Sequence, residues 1–224
     1  RCYDPVLGRF HVTDAFAGIM KSIDGGLSWT PQNTGIVPSP DPIWPVFSAT
    51  IDPHDPNAIW IGTQYTGHIY RSTDGGMTWE LRDTGLLTTD GVRSVRGITI
   101  DPNDVNIVYA GVEVGLTRWF DGAPEFSPGR LGPPTGGEVY KSLDAGATWT
   151  RIWQGDSLAR YIWVDPRNSK RIYVSTGIFD RKAVNSSLPD EIWGGVGILR
   201  SDDGGATWTV LDKDNGLGGL YIPS

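Results

Sequence analysis

The sequence contains four aspartates that are each followed directly by glycine or alanine. Their type and spacing suggest metal binding or catalysis. They stand at positions 24, 74, 144 and 203. Carboxylates beside glycines occur in calcium loops, which also need acidic or amide ligands at alternating positions and a bidentate glutamate beyond them. Here each aspartate is followed by glycine, by serine or threonine, and by tryptophan. This pattern indicates a carboxylate that accepts hydrogen bonds from its own turn, and neither a metal ligand nor a catalytic group.

The string around each aspartate reads Ser-x-Asp-x-Gly-x-Ser/Thr-Trp and occurs four times. Hydroxyl groups would close the turn, and the glycine would supply a positive φ. The tryptophan would bury its ring against a neighbouring sheet. The predicted structural positions are Ser22, Asp24, Gly26 and Trp29; Ser72, Asp74, Gly76 and Trp79; Ser142, Asp144, Gly146 and Trp149; and Ser201, Asp203, Gly205 and Trp208.

A second group combines aromatic rings with carboxylates in two long segments between strand patterns. Sugar C–H faces stack on aromatic rings while carboxylates bind hydroxyls or do acid–base work, so this group predicts a glycan-binding face. The alternative is that the rings cap the ends of the sheets and the charges are solvated. No catalytic residue is assigned, because the separation of two carboxylates cannot be read from a sequence. The candidate ligand residues are Trp119, Asp121, Glu125, Asp180, Asp190, Glu191 and Trp193.

Composition excludes several other classes of function. Against 26 acidic residues there are 19 lysines and arginines, a net charge of −7 that offers no basic face for nucleic acid. One cysteine and three histidines without metal spacing predict neither a metal site nor a cofactor. No apolar run is long enough to span a membrane, so membrane insertion is not expected.

The elements that position these residues form a repeat of four short strands, A to D. Strand A is an apolar run that ends in Asp-Pro (49–53, 98–102, 162–166), and strand B follows it (58–63, 107–111, 171–176). Strands C and D flank the aspartate turn. The aspartates are 50, 70 and 59 residues apart, and four strands per repeat of roughly 40–50 residues are typical of β-propeller blades. Trp60 and Trp163 lie inside predicted strands and are expected to be buried.

The sequence therefore predicts an all-β propeller of four-stranded antiparallel blades. The blades cover about 46–83, 93–154 and 158–212, with a partial blade at 16–31 and the start of another at 217–224. Because the strands alternate in direction, the A–B and C–D turns lie on one side and the B–C and D–A loops on the other. The long segments at 112–137 and 177–196, with the link 31–45, fall on the second side, which indicates a binding surface there.

The repeated string resembles the Asp-box, or BNR repeat, of sialidases, xyloglucanase-type glycoside hydrolases, sortilin-like VPS10 domains and a photosystem II assembly factor. The flanking segments IDPHDPNAIWIGT (51–63) and GHIYRSTDGGMTW (67–79) are most similar to the xyloglucanase and sortilin-like branch. The resemblance covers about residues 16–212. It implies the propeller fold, whereas function is carried by sites that differ between members.

Residues 1–15 are of uncertain origin. Their string Tyr-Asp-Pro-x-x-Gly-Arg-Phe resembles the signature of RHS/YD-repeat proteins. A coincidence and a junction in a larger protein are both compatible with it, and by position the segment could also fill an outer strand of the first blade. A propeller closes into a ring to hide its edges. We therefore expect either a fragment of a longer protein or open half-rings that pair through their edges.

These observations lead to one functional expectation and one alternative. The first is an extracellular, cell-surface or periplasmic module that binds glycan through the face carrying the long segments. The alternative is a non-catalytic propeller for protein interaction or surface assembly. The chain alone is not expected to be an enzyme, and if it is one, it is a glycoside hydrolase. Expected partners are a glycan or a protein, with further blades or copies of the chain completing the ring.

Overall fold

The protein folds into antiparallel sheets of four strands each. The computed structural model describes residues 2–4, 9–14, 17–37, 46–64, 66–86, 92–115, 136–155, 158–177 and 196–217. Within these ranges there are four such sheets, and the order of strands in each sheet follows the chain. Every strand therefore pairs with the strand next to it in sequence. No helix in the described part of the chain is long and apolar enough to cross a membrane.

Each sheet carries one Asp-box turn between its third and fourth strands. Sheet 1 contains β1 (Cys2–Asp4), β2 (Arg9–Asp14), β3 (Gly18–Ser22) and β4 (Thr30–Pro31). Sheet 2 contains β5 (Val46–Ile51), β6 (Ile59–Thr63), β7 (Ile69–Ser72) and β8 (Glu80–Leu81). Sheet 3 contains β9 (Val92–Asp101), β10 (Asp104–Gly115), β11 (Gly136–Ser142) and β12 (Thr150–Gly155). Sheet 4 contains β13 (Ala159–Asp165), β14 (Asn168–Thr176), β15 (Ile198–Ser201) and β16 (Thr209–Leu211), and one turn of 3-10 helix follows at Lys213–Asn215.

The sheets are arranged as consecutive blades of a propeller. Strand β9 contacts β5 of the preceding sheet and β13 of the following one, and β5 also contacts β2 of sheet 1. The first strands of sheets 2, 3 and 4 thus lie side by side at the inner edge. This radial order of antiparallel meanders confirms the predicted all-β propeller fold.

Sheet 1 is a complete sheet of four strands, whereas the sequence predicted only its third and fourth strands. Tyr3 pairs with Phe10, and Val12 pairs with Met20. Residues 2–4 and 9–14 therefore fill the first two positions of this sheet. The physical reason is that the backbone groups along one side of β3 need a partner strand, which β2 supplies.

The core lies between the sheets. One apolar cluster joins sheets 1 and 2 around Tyr70 and Trp79, a second joins sheets 2 and 3 around Trp60 and Trp149, and a third joins sheets 3 and 4 around Tyr109. Trp60 is buried, as predicted.

The expectation that Trp163 is buried was wrong, because its side chain is 51% exposed. Its neighbours Ile162 and Val164 point into the core, and alternation along β13 turns Trp163 to the opposite face of sheet 4. There its ring packs on Tyr173, with centroids 5.7 Å apart.

Candidate functional site

Each Asp-box turn is a closed network of hydrogen bonds around one carboxylate. Asp144 Oδ1 accepts from the Ser142 hydroxyl (2.7 Å) and the Thr148 N–H (2.8 Å), and Oδ2 accepts from the Thr148 hydroxyl (2.6 Å). Ser142 Oγ in turn accepts from the N–H of Gly146, which has a φ of 78°. The turn therefore uses both oxygens of the carboxylate. The other three copies repeat these contacts around Asp24, Asp74 and Asp203.

These hydrogen bonds keep the carboxylates ionised. Bonds from the Thr148 hydroxyl, the Thr148 N–H and the Ser142 hydroxyl lower the pKa of Asp144 from 3.8 to about 2. For Asp74, desolvation raises the pKa, but bonds from Thr78 and Ser72 outweigh it and bring the pKa to about 2. Within the described ranges no group of three or more His, Cys, Asp or Glu residues could hold a metal ion. Each carboxylate is thus occupied by hydrogen bonds within its own turn. The same hydrogen bonds lower the pKa values of Asp24 and Asp203.

Acid should weaken the contribution of these turns to stability. The folded pKa of Asp144 is below the ordinary value of 3.8, so its contribution is complete above that value and is lost as the pH falls towards about 2. Asp144→Asn should therefore have a lower Tm than the wild type at about pH 6, and the difference should shrink towards about pH 3. Circular dichroism melts over this pH range measure the difference, and Asp214→Asn controls for loss of one acidic charge outside the four turns. A difference that stays constant with pH would contradict this explanation.

The Asp-box turns lie on the same side of the sheets as the A–B turns. Hydrogen bonds join the two turns within a sheet, from Gly75 N–H to Asn57 O (3.0 Å) and from Gly204 N–H to Lys170 O (2.8 Å). The B–C and D–A loops leave from the opposite end, which we call the insert-bearing face. The geometry thus separates the Asp-box turns from the strand ends at which the long segments leave, as the strand directions predict.

The predicted ligand residues all fall outside the described residues. The described part of this face includes the roots of the two inserts, where the chain leaves and re-enters the sheets. These roots are Glu113–Gly115 and Gly136–Glu138 in sheet 3, and Thr176 and Gly197 in sheet 4. Trp119, Asp121 and Glu125 belong to segment 116–135, and Asp180, Asp190, Glu191 and Trp193 belong to segment 178–195.

A buried cluster of charged residues lies at the roots of the first insert. Glu138, whose side chain is 2% exposed, accepts hydrogen bonds from Arg93 Nε (3.1 Å), the Arg151 guanidinium (2.8 Å) and the Tyr140 hydroxyl (2.9 Å). Burial raises the pKa of Glu138, but the bonds from Arg93, Arg151 and Tyr140 outweigh this effect and leave the pKa below its ordinary value. Glu138 is therefore an ionised anchor for these side chains, and its protonation state does not suit a general acid.

A second buried ion pair holds the other root of the same insert. Arg96 donates through Nε to Glu113 (2.7 Å) and also through its terminal nitrogen, and both side chains are almost fully buried. The register between β9 and β10 shifts at Arg96, and such a bulge re-aims a side chain. The guanidinium lies 4.2 Å from the ring centroid of Phe47 in sheet 2. Both ends of insert 116–135 are thus tied to β9.

The neighbouring sheets complete the base of this face. In sheet 2 the short B–C loop packs on sheet 3, where Thr66 forms a bridge with Arg93. In sheet 4 the buried Thr176 hydroxyl donates to Gly197 O (2.6 Å) and accepts from Gly197 N–H (3.1 Å), which joins the two roots of insert 178–195. The two inserts therefore leave from fixed roots at the same end of adjacent sheets.

Sequence reasoning missed the cluster of Arg93, Arg96, Glu113 and Glu138. A signal was present, because charged residues interrupt apolar strands only a few positions from each end of insert 116–135. Charges inside strands that are otherwise apolar must be paired when they are buried. The sequence does not show which arginine pairs with which glutamate, since that depends on the bulge in β9.

The four Asp-box tryptophans differ in their surroundings. Trp79 and Trp149 are 5% and 4% exposed, whereas Trp29 and Trp208 are half-buried. The indole N–H of three of them donates to a carbonyl of the preceding sheet: Trp79 to Gln32 (2.7 Å), Trp149 to Arg82 (2.8 Å) and Trp208 to Ile152 (3.1 Å). Trp29 instead donates to Gly26 O in its own turn. In sheets 2, 3 and 4 the tryptophan thus joins its sheet to the one before it.

Comparisons with known proteins agree with this architecture. The BNR/Asp-box repeat model matches residues 70–81, which span the Asp-box of sheet 2. A xyloglucanase from Paenibacillus sp is 29% identical over 242 residues, which cover 89% of this chain and 21% of that protein. The chain thus spans about a fifth of the length of this curated relative.

Two solved structures show the same fold. The GH74 enzyme of Niastella koreensis is 26% identical with a TM-score of 0.61, covering 91% of this chain and 27% of the other. The GH74 xyloglucanase from Xanthomonas campestris is 15% identical with a TM-score of 0.63, covering 97% and 30%. The chain is accordingly an Asp-box β-propeller segment that is similar to xyloglucanase-type propellers.

Proposed function

We propose that this chain is part of an extracytoplasmic propeller protein whose insert-bearing face binds β-glucan chains of the xyloglucan type. The observation that carries the proposal is that both inserts rise from fixed roots at the same end of sheets 3 and 4. Those inserts contain Trp119 and Trp193 together with five carboxylates of the predicted site. The similarity to a xyloglucanase along 89% of the chain supports the choice of ligand class.

The fixed roots give the proposed face a physical basis. A loop that binds sugar must keep its aromatic ring in place, because ordering it on binding costs affinity. The Arg96–Glu113 and Arg93–Glu138 pairs hold the two ends of insert 116–135 before any ligand arrives. We assign neither glutamate to catalysis, since each is buried and paired with arginine. Any glycosidic hydrolysis would have to use other carboxylates.

Binding of xyloglucan oligosaccharides by titration calorimetry tests the proposal. Trp119→Ala and Trp193→Ala should each weaken binding by about tenfold or more, because each removes an aromatic platform. Leu143→Ala is the control, since Leu143 is 68% exposed on the Asp-box side and should leave affinity unchanged. Absence of binding to a panel of β-glucan oligosaccharides would contradict the proposal.

A variant of the second insert distinguishes glycan binding from the alternative function, which is a protein-interaction face. In that case Asp190→Ala with Glu191→Ala leaves glycan behaviour unchanged and weakens capture of a protein partner. Glycan binding that falls in the tryptophan variants while partner capture is unaffected favours the glycan proposal.

A further inference from the structure

An imidazole lies on the insert-bearing face of sheet 2, where the short B–C loop meets β7. It belongs to His68, whose side chain is 32% exposed. Its Nδ1 lies 2.6 Å from Oδ2 of Asp83, a residue of the link that follows β8. Because an ionised carboxylate can only accept, Nδ1 carries the proton of this hydrogen bond. In the neutral ring the other nitrogen, Nε2, is therefore a hydrogen-bond acceptor.

The position and orientation of this ring are fixed by its own sheet. Thr63 Oγ1 accepts from the backbone N–H of His68 (2.8 Å), and Thr63 N–H donates to His68 O (2.9 Å). The imidazole meets the ring of Tyr70 at a steep angle, with centroids 6.1 Å apart. Tyr70 is fully buried, and its hydroxyl accepts from Val37 N–H (3.3 Å). A group that is held in this way loses little freedom when it binds a ligand.

The equivalent positions of the other sheets do not offer such a group. The residues that stand four positions before the serine of each Asp-box are Gly18, His68, Glu138 and Gly197. The side chain of Glu138 is 2% exposed and is bound by Arg93 and Arg151. Of these four positions, that of His68 is the one with a polar side chain that water can reach.

The carboxylate of the pair also differs from its counterpart in sheet 1. Asn33 and Asp83 each stand four residues after the tryptophan of their Asp-box. Asn33 Oδ1 accepts from Ile19 N–H (2.9 Å), and Asn33 Nδ2 donates to Ala17 O (2.9 Å). In sheet 1 this position therefore binds the backbone of β3, whereas in sheet 2 the Asp83 carboxylate orients a side chain.

The loop that carries the imidazole packs on the base of insert 116–135. Thr66 forms a bridge with Arg93 at the start of β9. A Cβ on Gly67 would lie 2.8 Å from Arg93 Cβ, so the loop is in close contact with this strand. Arg93 in turn donates to Glu138 at the second root of the insert. His68 and insert 116–135 thus belong to adjoining parts of one face.

The free nitrogen of the ring suits a ligand that carries hydroxyl groups. Within the described ranges no hydrogen bond occupies His68 Nε2, whereas Nδ1 is bound by Asp83. A hydrogen bond from Nδ1–H to a carboxylate polarises the ring and makes Nε2 a better acceptor. Sugar hydroxyls are donors, and ligand sites use a small number of fixed polar groups to orient what they bind.

We propose that His68 is a ligand-contacting residue of the insert-bearing face, and that its Nε2 accepts a hydrogen bond from a hydroxyl of the glucan chain. Asp83 is the positioning residue, since it holds the Nδ1–H and touches no ligand itself. This inference rests on the proposed function and adds to it a polar contact in sheet 2. The contact lies beside the insert that contains Trp119.

Two substitutions of His68 separate its two ring nitrogens. His68→Asn places an amide N–H near Nδ1, keeps the bond to Asp83 and removes the acceptor at Nε2. His68→Gln reaches further and places an amide oxygen near Nε2. In titration calorimetry with xyloglucan oligosaccharides, the asparagine variant should bind about three- to tenfold more weakly than the wild type, and the glutamine variant should recover part of this loss.

His54→Asn is the matched control, because His54 is exposed in the A–B turn on the opposite side of the sheets. It should leave the affinity unchanged, and circular dichroism melts verify that each variant is folded. If the wild type binds and Trp119→Ala weakens binding while His68→Asn does not, the His68 contact is wrong and the proposed function stands. Equal losses in the asparagine and glutamine variants also overturn the contact. A wild-type chain that binds no β-glucan overturns both.

Nuclear magnetic resonance of the wild-type chain gives a direct readout that needs no variant to bind. The chain has three histidines, so long-range ¹H–¹⁵N spectra contain three sets of imidazole signals, and the set that is absent in His68→Asn belongs to His68. Its Nδ1 should be protonated, and its Nε2 resonance should move when xyloglucan oligosaccharide is added, while the signals of His54 stay in place. An Nε2 resonance of His68 that does not move at saturating ligand overturns the contact.

Discussion

Replacing Trp149 with alanine is expected to lower the free energy of unfolding by about 3–5 kcal/mol, the range for a large aromatic side chain removed from a core. Trp149 is 4% exposed, and its ring meets Trp60 edge-on at 6.4 Å between centroids. Its indole N–H also satisfies Arg82 O. The substitution therefore leaves a cavity between sheets 2 and 3 and an unpaired carbonyl, and both effects destabilise the fold.

Trp208 provides the matched comparison for this prediction. It holds the same Asp-box position, but it is half-buried, and among the described residues its hydrogen bond to the preceding sheet is that of the indole N–H to Ile152 O (3.1 Å). Trp208→Ala should cost about 1–2 kcal/mol, since less apolar area is lost. Urea denaturation of the two variants measures both values. Equal losses would show that the contacts of Trp149 with the backbone of sheet 2 contribute nothing beyond the ring itself.

Replacing Glu138 with alanine should have a similarly large effect for an electrostatic reason. Removing one partner of a buried ion pair typically costs about 3–5 kcal/mol, because the remaining charge is left without compensation. Glu138 stands between Arg93 and Arg151, and the side chain of Arg93 is 6% exposed. The variant leaves that guanidinium in a site with little access to water. Urea denaturation monitored by tryptophan fluorescence measures the loss.

A double variant shows whether Glu138→Ala destabilises the fold through loss of the ion pair or through loss of side-chain volume. Arg93→Met with Glu138→Met removes both buried charges and keeps apolar volume, and such replacements are often neutral or stabilising. It should therefore recover most of the stability that Glu138→Ala loses, while Arg151, whose side chain is 35% exposed, turns to water. If the losses in unfolding free energy of Arg93→Met alone and Glu138→Met alone simply add in the double variant, the two residues are not a coupled pair.

Much of the fold could be predicted from the sequence because each repeat carries local sequence signals for its turns. The Asp-box places the C–D turn, and the Asp-Pro run places the A–B turn, so the strands between them follow. Sheets 2, 3 and 4 were predicted in this way. The first two strands of sheet 1 could not be assigned, since the Asp4-Pro5 pair at the end of β1 is not preceded by the apolar run of the other repeats, and residues 2–14 carry no Asp-box.

The candidate site was less accessible to sequence reasoning. Composition and insert length indicated which end of the blades should bind a ligand. The pairing of Arg93 with Glu138 and of Arg96 with Glu113 joins residues 45 and 17 positions apart. Such pairs depend on strand register, which one bulge can change.

By itself the sequence determined the blade type, the four carboxylate turns and the side of the sheets from which the long segments leave. These features depend on contacts within a few residues of one another, which the chain specifies locally. The tertiary structure alone decided that Trp163 faces outward, that Trp149 and Trp208 differ in burial, and which charges anchor the first insert. These outcomes depend on what the adjacent sheet presents, and neighbouring blades meet through residues that are far apart in the chain.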